Sequence, residues 1–179
     1  IPLLTVGPVL WWIDRVEPEP LADRVHAFLW GATISGVVAG TINSIVFAAS
    51  NDTWAAVVSA PLSEEIMKAL GILWALRRKE IDSLMDGIVY AGWVALGFAV
   101  VENFLYFSDA ANQGVLVQTV IARGFITPFA HPLFTAWSGL AIGVAVSRRK
   151  SVWSQLAWGL PIAIGLHAAW NGSLTIAEN

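Results

Sequence analysis

The sequence predicts an all-α fold: a polytopic transmembrane helical bundle of about six spans plus a short interfacial helix, in one domain covering residues 1–179. Three observations predict it. Of the 179 residues, 56% are hydrophobic and only 13% charged, too little charge to cover a soluble surface of that size. Five apolar stretches, residues 27–50, 54–76, 84–107, 124–147 and 152–176, are long enough to cross a hydrocarbon layer of ~30 Å at ~1.5 Å per residue. Most of the basic residues sit in alternate loops.

Taken in order, residues 1–13 are apolar but too short to span, and read as the end of a helix rather than a signal sequence. Trp11-Trp12 followed by Asp14-Arg15 lacks the small-residue cleavage pattern. The stretches 27–50 and 54–76 follow, separated by the polar pair Asn51-Asp52; 84–107 begins after the basic run Arg77-Arg78-Lys79. Residues 113–122 are too short to cross and fit an interfacial helix. The last two spans flank a second basic run, Arg148-Arg149-Lys150. Threading the chain up and down puts Arg15, Arg24 and both basic runs on one side. By the positive-inside rule these Arg/Lys-rich loops are cytoplasmic, in a multi-pass protein of the cell membrane. Trp11, Trp12, Trp30, Trp54, Trp74 and Trp153 fall near the expected interfaces, where amphipathic rings anchor a bundle.

Cysteine is absent, which excludes disulfides, a thiolate nucleophile and thiolate metal sites. A metal would need His, Asp or Glu, and there are three histidines. A net charge of −3 gives no reason to expect nucleic acid as a partner. The lipid bilayer is the implied surroundings, and nothing in the sequence fixes an oligomeric state.

Ionisable groups inside a bilayer cost about 2.5–3.5 kcal/mol each on insertion scales and need a partner or a purpose. Four spans carry polar groups of interest. In one, Lys68 follows Glu64 by four residues and Glu65 by three, so it can neutralise either carboxylate, which point about 100° apart. The same trio would also serve as a structural ion pair. In the next, Glu102 and Tyr106 share a face, and a tyrosine hydroxyl there would orient the carboxylate. Asp86, near the start of that span, reads as an interface residue or a helix N-cap rather than a site residue. His131 and Thr135 share a face of the fifth span, where Pro128 and Pro132 loosen the backbone. His167 and Asn171 share a face of the sixth, where Asn171 would fix the imidazole or donate to an oxyanion. Arg123, at the outer start of the fifth span, suits a substrate carbonyl, a pair with Glu102, or the headgroups. Threaded as above, Glu64, Glu65, Glu102, His131 and His167 share one layer, within roughly 10 Å of depth, in the outer half of the bilayer.

The motif series Glu64-Glu65-x-x-Lys68, Glu102-Asn103-x-x-Tyr106, His131-x-x-x-Thr135 and His167-x-x-x-Asn171, on successive helices, resembles the PrsW family of intramembrane proteases. The run Asp14-Arg15-Val16-Glu17-Pro18-Glu19-Pro20 is similar to that family as well. The family is related to the wider group that includes CAAX-processing proteases. From that group's EExxxR motif this chain departs, with Lys68 at shorter spacing and Glu102 where a histidine is expected. The resemblance implies a bacterial membrane peptidase acting on membrane-anchored proteins such as anti-sigma factors, with Glu64, Glu65, Glu102, His131 and His167 as site residues.

No H-E-x-x-H helix is present, yet two histidines and a glutamate from three helices would hold zinc with an open fourth position. The expected ligands are Glu102, His131 and His167, with Glu64 as base and Glu65 paired to Lys68. Without a metal, Glu64 activates water directly, His131 assists, and His167 and Asn171 steady the oxyanion. Lys68, Asn103, Tyr106, Arg123 and Thr135 support the site in either case. The competing class is an ion or proton transporter using the same buried groups.

Overall fold

A computed structural model describes residues 1–177 as helices joined by short connections. We number them α1 (Pro2–Ile13), α2 (Leu21–Ala49), α3 (residues 52–77), α4 (Leu84–Asn112), α5 (Leu116–Ser147) and α6 (Val152–Ala177). The helix α2 starts earlier than its apolar run because its polar first turns are paired: buried Asp23 accepts from Arg78 of the α3 end. The helix α4 outlasts its own run to Asn112, where Gln113 donates to Asp109 at 2.7 Å.

Among the described residues, three helices, α2, α4 and α5, are long and apolar enough to cross a membrane by length and composition, against the six spans expected. The remaining two long helices fall short for a chemical reason. Glu64, Glu65 and Lys68 lie in the middle of α3, and α6 is diluted by Gln155, His167 and Asn171. The expected interfacial helix at 113–122 begins at Leu116 and runs, through a π-helical turn (Ala122–Ile126), into the stretch 124–147. The chain then breaks at residues 127–129, ahead of Pro132, and resumes as helix from Ala130.

Buried Ile72, Tyr90, Val94 and Ile142 form the core around α4. A Cβ on Gly97 would meet the Phe28 carbonyl, and one on Gly139 the Gly87 carbonyl. Glycine at these two crossings therefore lets α4 approach α2 and α5 backbone to backbone. Val6 and Leu10 bring α1 against Leu96. Trp11, Trp12, Trp54 and Trp153 are exposed, as anchors would be. Trp30 departs from that role: it donates to the Met67 carbonyl at 3.0 Å and stacks on Trp74, clamping α2 to α3.

At the basic end, Asp14 accepts from Arg24 at 3.0 Å and from the Glu19 backbone, and Tyr90 donates to Glu19 at 2.9 Å. Asp86 caps α4 in a reciprocal capping box with Ser83. The loops after α1 and α3 are thus joined at one end of the bundle, leaving the other end for a cavity.

Candidate active site

The site is assembled from α3, α4, α5 and α6. Lys68 is fully buried and its three N–H groups meet three acceptors: Glu65 Oε1 at 2.9 Å, Glu64 Oε2 at 3.3 Å and His131 Nδ1 at 3.1 Å. The ammonium also lies over the Phe98 ring at 3.9 Å. Because an ammonium only donates, Nδ1 of His131 carries the lone pair and its proton sits on Nε2. That Nε2–H donates to Glu102 at 2.9 Å.

Glu65 is the most enclosed carboxylate. It accepts from Lys68, from the buried Thr135 hydroxyl at 2.8 Å and from His167 Nδ1 at 3.1 Å. A neutral His167 that donates through Nδ1 turns its Nε2 lone pair toward Glu64 Oε2, 3.9 Å away. The His131 and His167 rings lie 5.1 Å apart, and Phe134 stacks on His167. Glu64, in contrast to Glu65, borders a cavity of about 870 Å³ that is also lined by Asn43, Glu102, Arg123, His131 and Asn171.

Glu102 is held by Arg123 as well as by His131. Arg123 also donates to Asn103 Oδ1 at 2.5 Å and lies over the Tyr106 ring at 3.8 Å. The Tyr106 ring thus backs the Arg123 guanidinium, which the π-helical turn (Ala122–Ile126) carries beside Glu102.

Ligand atoms of Glu64, His131 and His167 all lie within 4.8 Å of one another; the carboxylate grouped with the histidines is thus Glu64, whereas Glu102, expected as the third ligand, is engaged by Arg123. Asn171 donates to the Ala56 carbonyl at 2.8 Å, and the imidazole of His167 is fixed by Glu65. Sequence reading missed Asn43, whose Oδ1 accepts from Ser59 and Ser63 and whose Nδ2 faces Glu64. A lone asparagine in an apolar run carries no periodic mark; only its cost within a bilayer hinted at it.

A family model described as "PrsW family intramembrane metalloprotease" matches residues 19–179. The chain belongs to the PrsW family. It is 35% identical to Protease PrsW of Clostridioides difficile over 83% of this chain and 65% of that protein. It is 34% identical to Protease PrsW of Geobacillus kaustophilus over 79% of this chain and 64% of that protein. A probable peptidoglycan glycosyltransferase FtsW of Alkalilimnicola ehrlichii is 27% identical over 83% of this chain but only 38% of its own length. The chain thus spans just under two thirds of the length of the first two PrsW relatives. No solved structure matches it significantly.

The PrsW family's description implies a metal, and the donor set fits one. Two imidazoles and a carboxylate converge, and the second nitrogen of each imidazole is backed by a carboxylate, Glu65 or Glu102, as metal-ligating histidines usually are. Three carboxylates here face two fixed cations, Lys68 and Arg123, leaving negative charge for a further cation. To ligate, His131 must give up one present partner, Lys68 at Nδ1 or Glu102 at Nε2.

Proposed function

We propose that this chain is an intramembrane endopeptidase that hydrolyses a peptide bond of a membrane-anchored protein, such as an anti-sigma factor, with zinc assistance. The observation that carries the reading is the position of Glu64: it borders the cavity and also belongs to the Glu–His–His group. Membership of a protease family favours hydrolysis over transport as the use of these buried groups.

Glu64, His131 and His167 would hold the metal. When bound, it supplies Lewis acidity that polarises the scissile carbonyl and makes water a stronger acid. With one carboxylate oxygen offered to the metal, Glu64 keeps the other to take the proton of the attacking water; the water oxygen bonds to the carbonyl carbon, and the proton passes to the leaving amine as the C–N bond breaks. Glu65 keeps His167 in one tautomer, Glu102 does the same for His131, and Arg123 secures Glu102. Asn171 lines the cavity wall, and the amide hydrogen that it does not give to the Ala56 carbonyl would donate to the developing oxyanion.

One observation favours a metal-free variant. Lys68 already fills the His131 Nδ1 lone pair and bridges both glutamates, so the cluster has a resident cation. In that variant Glu64 activates water alone.

The proposed topology is six crossings with the basic loops cytoplasmic. Arg77 lies 13 residues beyond Glu64, about 20 Å along α3, a separation that supports a site in the outer half of the bilayer if Arg77 marks the cytoplasmic face. Full chain reconstituted with a single-span reporter tests the chemistry. Cleavage that stops on chelation and returns with zinc supports the metal reading; undiminished cleavage by metal-free protein rejects it in favour of the Lys68 variant.

A further inference from the structure

Asn43 sits on α2, whose outward residues Val37, Ile42 and Ile45 are exposed and apolar. An amide on such a helix needs hydrogen-bond partners, because hydrocarbon offers none. Ser59 donates to its Oδ1 at 2.8 Å and Ser63 at 3.0 Å. These serines stand one turn apart on the same face of α3, both buried. Glu64 is the next residue, and its Oε1 faces Asn43 Nδ2 at 3.5 Å.

The amide has one sensible orientation. An ionised carboxylate only accepts, so the NH2 edge must face Glu64 and the carbonyl edge must take the hydroxyls. At 3.5 Å the contact is long for a hydrogen bond. Its geometric effect is still definite: Asn43 offers a donor on the side of Glu64 away from Lys68 and His167, which both face Oε2. Asn43 and Glu64 border the same cavity.

We propose that Asn43 is a positioning residue for the reaction at Glu64: anchored by Ser59 and Ser63, it holds Oε1 and thereby fixes the plane of the carboxylate. It acts through Glu64 and does not touch the reacting atoms. The inference rests on Glu64 as the water-activating group.

The deciding variant is Asn43→Asp. It is isosteric and still accepts from both serines, but it replaces the donor toward Glu64 with a second carboxylate. A residue that merely anchors the serines would tolerate it. We expect kcat on the reporter to fall at least ~10-fold with KM within ~2-fold, since positioning is lost rather than binding. A thermal double-mutant cycle on the purified full chain in detergent reads the contact without activity. Asn43→Asp lowers the midpoint, and adding Glu64→Gln restores most of the loss because the paired charges are gone. Wild-type kcat in Asn43→Asp, or thermal shifts that simply add, overturns the proposal. Should Glu64→Gln itself still cleave, the reading of Glu64 fails, and the thermal cycle alone then decides whether Asn43 holds its carboxylate.

Discussion

The Lys68 ammonium stands 3.1 Å from Nδ1 of His131, 63 residues away in sequence, and this contact ties the acidic helix α3 to the histidine of α5. Removing one partner of a buried charge cluster leaves the others uncompensated. Lys68→Met should therefore destabilise the fold by about 3–5 kcal/mol. Denaturant unfolding in detergent checks this, and an unchanged midpoint would mean the three acceptors do not depend on Lys68.

Arg123 and Glu102 act on His131 in series. Arg123→Ala and Glu102→Gln are each expected to lower kcat by about 10–100-fold, the usual cost of losing a group that orients a ligand or base. Combined, they should cost little more than the worse of the two, since both remove the same support. Multiplying losses in steady-state assays would show that the residues work independently.

At the opposite end, burial pushes the Glu19 carboxyl from its ordinary 4.5 up to about 7; Tyr90 opposes the rise by hydrogen bonding, while nearby Asp86 and Asp14 add to it. A folded-state pKa above the unfolded one means the fold prefers the protonated acid. The contribution is complete below about 4.5 and is lost as pH rises through about 7. The thermal midpoint of the wild type should accordingly drop between these values. Glu19→Gln, fixed in the neutral form, should flatten that part of the curve; an unaltered slope would assign the pH dependence to other groups.

Much of this is legible in the amino-acid sequence. Apolar runs placed the helices because a bilayer demands length and internal hydrogen bonding, and i, i+3 or i, i+4 spacing put Lys68 beside Glu64 and Glu65. Contacts between distant helices were not legible. Spacing put Tyr106 beside Glu102 and Asn171 beside His167, but Arg123 secures the first and Glu65 the second. Both partners come from other helices, and local periodicity cannot name them. The π-helical turn carrying Arg123 has no sequence signature either, and it decides where the guanidinium points. Helix spacing lets Lys68 neutralise either Glu64 or Glu65; packing separates the two, one at the cavity and one enclosed by Lys68, Thr135 and His167.

That separation is open to direct measurement. Wild type and Glu64→Gln, reconstituted at equal amounts with a single-span reporter, should differ at least ~1,000-fold in cleavage rate while sharing the same unfolding midpoint within a few degrees, as expected for loss of a proton acceptor. Cleavage by Glu64→Gln at the wild-type rate would contradict water activation by this carboxylate and, with it, the proposed chemistry of the cavity.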